Sequence, residues 1–171
     1  MSECRTMSHR LKQSYAHAEE YGPTLEGGPW HGPSLLQSLV GVDVQQAATR
    51  PIEGRHTIWE IVNHCTYWMD SVERALHGTA MESVPETEDW AGMGETAEEW
   101  ARELERLDQT YTKLQNTIKG LDARDLDNTV SSQFGENFFR FSWRKMLHGV
   151  ADHNIYHAGQ VSILKLKQPQ Q

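Results

Sequence analysis

Apolar residues recur at steps of three and four along most of this 171-residue chain, which is the period of a helix and not of a strand. The clearest run is Ile58, Ile61, Val62, Cys65, Trp68, Met69, Val72 and Leu76. It follows Pro51 and Gly54, has Thr57 at the N-cap with Glu60 three residues on as a capping box, and stops at Gly78. A second run, Trp100, Leu104, Leu107, Tyr111, Leu114 and Ile118, starts from Thr96 with Glu99 three on and closes at Gly120. A first helix is expected from about Thr6 to Tyr21, ended by Gly22-Pro23, and a short one from Ser34 to Val40. The last long helix runs from Ser142 to about Lys167 and carries Met146, Leu147, Val150, Val161, Ile163 and Leu164. Residues 121–140 have no helical period; Ser131 to Asn137 reads as a loop with a short extended element, and the stretch is left irregular. Four long amphipathic helices without a competing strand pattern predict an all-α fold, an up-and-down four-helix bundle forming one domain over residues 1–171.

Charge narrows the partners. With 16 Lys+Arg against 24 Asp+Glu the net charge is −8, and no basic stripe tracks a phosphate backbone, so nucleic acid is not expected. The polar start MSECRTMSHRLKQSY is no signal peptide and no run of 18 apolar residues occurs, so no membrane partner is expected. Two cysteines, Cys4 and Cys65, form no disulfide framework and fit a reducing, cytoplasmic setting. The Glu-rich stretch from Met81 to Glu105 reads as a solvated face anchored by Trp90 and Trp100.

Histidine is over-used, at nine residues, and it concentrates where chemistry is possible. His153 and His157, four apart on the last helix, stack on one face about 6 Å apart at Cβ and can reach one ion. Gly149 lies one turn before on that face and Gln160 nearly one turn after, with Tyr156 beside His157; His148 points about 140° away. Two imidazoles bind a divalent ion weakly, and His64, amid core positions of the Thr57 helix, is the best candidate for a third ligand. A His pair at this spacing also arises on ordinary surface helices, and a core histidine can simply be hydrogen-bonded, so the residues alone leave both readings open. His9, His17, His31, His56 and His77 fall near termini or turns and are expected to be exposed. Asn154 stands where a zinc protease of the HExxH type needs its glutamate, and the Glu-x-x-His pairs of a di-iron bundle are absent. Cys65 points about 100° from His64 on a helix, so the two form no nucleophilic pair, and no phosphate-binding glycine loop occurs.

Three stretches together resemble the DinB-like superfamily, also described as YfiT-like metalloenzymes: Trp30-His31-Gly32-Pro33-Ser34 with Arg50-Pro51-Ile52-Glu53-Gly54, Thr57 to His64, and Leu147 to Gln160. The resemblance implies a metal triad of His64, His153 and His157 holding Zn, Ni or Fe, in a homodimer acting on a small-molecule substrate. It further implies a thiol-dependent transferase using bacillithiol, mycothiol or glutathione, with Gln160 or Tyr156 orienting the electrophile. The alternatives are a metal-dependent hydrolase with Glu60 as base and a non-catalytic, stress-related metal-binding bundle.

Overall fold

The computed structural model describes residues 2–17, 20, 28–82, 86–134 and 136–166. Along the chain come α1 (Glu3–Tyr15), α2 (Leu35–Leu39), α3 (Val44–Ala48), α4 (Ile58–Leu76), β1 (Met81–Glu82), α5 (Glu86–Asp89), α6 (Ala97–Lys119), a 3₁₀ turn (Ala123–Asp127), β2 (Thr129–Phe134), β3 (Asn137–Ser142) and α7 (Trp143–Leu166). The fold is mostly helical.

Local chemistry sets the helix ends. Thr57 Oγ1 accepts the Glu60 N–H while Glu60 accepts the Thr57 N–H at 2.7 Å, the reciprocal pair that starts α4. Thr96 and Glu99 repeat it at α6. Gly78 adopts φ +90, which L side chains rarely take, and the Gly78 N–H to Ala75 O and Thr79 N–H to Arg74 O bonds close α4 as a Schellman motif. Gly120, by contrast, ends α6 with an ordinary right-handed φ of −86. Helix α1 starts earlier and stops earlier than its pattern predicts: Ser2 caps it and Ala16 is already extended. Part of the expected tail towards Tyr21, with Gly22-Pro23, lies outside the described residues, as do the residues beyond 166.

The four long helices touch in a ring: α1 packs on α6 and α7, and α4 packs on the same two. Tyr15, Leu11, Ile58, Ile61, Met69, Leu107, Leu114, Ile118 and Val161, all essentially inaccessible, fill the space between them. Where the sequence reading left residues 121–140 irregular, the structure has the 3₁₀ turn and a hairpin, β2 pairing antiparallel with β3 from Thr129–Ser142 to Phe134–Asn137. The two-residue β1 adds in parallel, Met81 beside Ser132, giving the sheet order β1-β2-β3. This small sheet is an addition to a mostly helical fold that agrees with the all-α expectation: it lies between the end of α4 and the start of α7 and brings Met81 and Phe141 to the core. No helix among the described residues is long and apolar enough to cross a membrane.

Candidate metal centre

Helix α4 buries two adjacent polar side chains, Asn63 and His64, among apolar neighbours, and each is hydrogen-bonded. Asn63 Nδ2 donates to the carbonyls of Ala91 (2.9 Å) and Gly92 (3.1 Å), and its Oδ1 accepts from Arg106 Nη2 on α6 at 3.0 Å. Those bonds tie the segment after α5 onto α4. The end of α5 and the residue after it then deliver two side chains to His64: Asp89 Oδ1 lies 2.6 Å from His64 Nδ1, and the Trp90 indole stacks on the imidazole, centroids 3.8 Å apart and planes within 5°. His56 lies parallel to the same indole at 3.5 Å. Two rings at those distances fit only on opposite faces, so Trp90 is held between the two imidazoles.

Across from His64, α7 contributes His153 and His157. His153 Nε2 is 3.0 Å from His64 Nε2 and 3.1 Å from His157 Nε2. One ligand atom from each of the three lies within 4.8 Å of the others. Donors bound to one ion at about 2.0–2.1 Å sit about 2.8–3.4 Å apart in octahedral to tetrahedral arrangements, so the two Nε2 separations at His153 fit.

The outer nitrogens fix the tautomers. His64 Nδ1 faces the Asp89 carboxylate and His157 Nδ1 faces Gln160 Oε1 at 2.7 Å, so both Nδ1 atoms carry the proton and both Nε2 atoms expose a lone pair. Both lone pairs face His153 Nε2, which can offer one proton at most. A convergence of this kind is relieved by a cation. His153 Nδ1 is buried without a hydrogen-bond partner. Burial and the neighbouring His157 and His64 push the His153 pKa down to about 3, and burial with His64 pushes His157 down to about 4. For His64, burial outweighs Asp89, which works the other way, and the value again falls below the usual one. All three are therefore neutral bases at neutral pH, the form that ligates metals.

The remaining sequence candidates fall in distinct places. Gln160 reaches the trio through His157. Tyr156 is mostly exposed and meets His157 edge-on at 5.0 Å. Glu60 serves elsewhere: its carboxylate caps α4 and pairs with Arg50 Nη2 at 2.9 Å. Burial works to raise its pKa, but the Thr57 N–H and Arg50 outweigh burial and hold the carboxyl below its ordinary value, the opposite of what a base near neutral pH needs. His148 is half-buried and outside the trio, as its angular offset requires. His56, expected to be exposed at a turn, is instead half-buried against Trp90. Asp89 was missed from the sequence and Trp90 was read only as an anchor; the signal was a tryptophan directly after an acidic residue in the Glu-rich segment.

Two cavities border the site, the first through His56 and Gln160 and the second through His153. One of about 420 Å³ is bordered by Arg55, His56, Tyr156 and Gln160 together with aliphatic side chains. Another, of about 260 Å³ and almost wholly apolar, ends at His153.

A model of the DinB superfamily matches residues 31–161, and the chain belongs to that superfamily. No curated protein matches it. A crystal structure of a conserved protein from Enterococcus faecalis is similar in fold, with a TM-score of 0.66 over 98% of this chain and 97% of that one at 14% identity. Superfamily membership and the three-histidine group together fit a metal-binding protein.

Proposed function

We propose that His64, His153 and His157 hold one divalent ion and that the protein is a metal-dependent thiol S-transferase. The observation that carries the metal reading is the convergence of three neutral Nε2 atoms whose outer nitrogens on His64 and His157 are anchored by Asp89 and Gln160. A bound divalent ion would favour thiolate over thiol, supplying the attacking species at neutral pH. Zn, Ni and Fe(II) all suit an imidazole set, and availability selects among them.

The chain's own residues supply the rest. Asp89 and Gln160 orient His64 and His157. The larger cavity, lined in part by Arg55, Tyr156 and by Gln160, the hydrogen-bond partner of His157, suits a polar low-molecular-weight thiol such as bacillithiol, mycothiol or glutathione, whose hydroxyl, amide or carboxylate groups those side chains can meet. Metal-assisted hydrolysis is less well supported, because Glu60 is committed to the helix cap and Arg50. The ring of contacts among α1, α4, α6 and α7 supports an up-and-down four-helix bundle, read as one DinB-like domain over residues 1–171. Both cysteines are free and buried, which supports a reducing, cytoplasmic setting, and the resemblance supports a homodimer.

The test is turnover of each of the three thiols with 1-chloro-2,4-dinitrobenzene by protein loaded with Zn, Ni or Fe(II). Metal-dependent turnover that His153→Ala removes is the expected result. A loaded protein that turns over none of the pairs would favour the non-catalytic metal-binding bundle.

A further inference from the structure

We infer that the apolar cavity ending at His153 seats a ring-sized apolar group of the electrophile, an assignment that rests on the metal-dependent transfer proposed above. Its position follows from helix periodicity. On α4 the stripe His64, Trp68, Val72 leaves the trio at steps of four, and on α7 His153, Gly149 and Met146 leave it in the opposite sequence direction at steps of four and three. The cavity lies between those stripes, so its inner end is His153, and its wall residue Trp68 meets His64 edge-on at 6.2 Å and His153 at 6.3 Å. Met81 and Phe141, from the sheet, close the far side.

Size and chemistry give the class of occupant. The cavity's 260 Å³ exceeds the roughly 150 Å³ that admits benzene in an apolar protein cavity, leaving room for a substituted or fused ring. Two aromatic side chains and two methionines, whose flexible thioethers adapt to aromatic guests, form much of the wall. Among the described lining residues only Lys145 is charged, and its Nζ lies over the Phe141 ring at 5.0 Å. Gly149 keeps the space open: a Cβ there would meet nothing within 4 Å. A side chain at 149 therefore enters the cavity without disturbing the backbone of α7.

The experiment titrates metal-free and metal-loaded protein with naphthalene by calorimetry, maps amide NMR shifts, and repeats both with Gly149→Leu and Gly149→Ala. Saturable binding with shifts centred on Gly149, Val150 and His153, weakened about tenfold or more by Gly149→Leu at unchanged metal content, is expected. Gly149→Ala, with a far smaller side chain, should stay folded, load metal and bind with an intermediate affinity. Naphthalene binding that Gly149→Leu leaves unchanged, or no saturable binding in a protein that loads metal normally, would overturn the cavity assignment alone. A protein that binds naphthalene at this place yet takes up no divalent ion would overturn the metal centre, and the electrophile role with it.

Discussion

At His153 folding converts an imidazole that would titrate near 6.5 in an unfolded chain into one held neutral down to about pH 3, and His157 behaves alike with a value near 4. The sign follows from linkage. Between about pH 6.5 and 4 the unfolded state binds more protons at these sites, so their contribution to stability is present in full above 6.5 and is lost as pH falls. The metal-free protein should lose more stability between pH 7 and 4.5 than a His153→Gln, His157→Gln double variant, measured as urea midpoints at the two pH values. Parallel losses would contradict the neutral-base reading. Asp89 acts on the same site from outside: it orients His64 through Nδ1, so Asp89→Asn should weaken metal binding by about 10–100-fold in a competition titration while the fold is retained. Unchanged affinity would mean that Asp89 does not position the ligand. The two histidines on α7 were legible because spacing within one helix fixes their geometry. Asp89 was not, because its partner lies 25 residues away and the contact is supported by Asn63 tying the residues just after Asp89 to α4.

Elements whose ends are set by short-range chemistry were readable in advance. Thr57 with Glu60, Thr96 with Glu99, and Gly78 each act within four residues, and each does in the structure what its spacing predicts. The hairpin was hidden for a related reason. β2 reads Thr-Val-Ser-Ser-Gln-Phe, so the inward position after Val130 is the buried Ser132, and the apolar alternation that marks a strand is broken there. On β3, Phe138 and Phe139 adjoin and are both exposed, again without alternation. Glycines inside α7 offer a test at this scale. Gly149 and Gly159 have open space where a Cβ would go, so Ala at either should stabilise by roughly 0.5–1 kcal/mol through helix propensity. Gly94→Ala should do the reverse, by about 1–3 kcal/mol, since its Cβ would fall 2.8 Å from the Trp59 ring and 2.9 Å from Glu99 Cβ. Thermal melts of the three variants check both signs. A stabilised Gly94→Ala would show that Trp59 is not packed as described.

Across the whole molecule the ring of four long helices does two things for the site. It sets α4 beside α7, so that His64 faces His153 and His157, and it leaves an apolar cavity ending at His153 and a second one, bordered by polar groups, that reaches Gln160. The helical class of the fold and the three histidines could be read from period and spacing. The two cavities could not, because their walls combine α4 and α7 with the sheet and with the turn before α4, which no local pattern brings together. All of this depends on one claim, that the imidazoles meet around a metal ion. The most direct test is metal content by inductively coupled plasma mass spectrometry on untagged protein and on a His64→Ala, His153→Ala, His157→Ala triple variant, each incubated with Zn, Ni or Fe(II) and desalted. About one divalent ion per chain in the parent and none in the variant is the predicted result. Equally little metal in both would contradict the account.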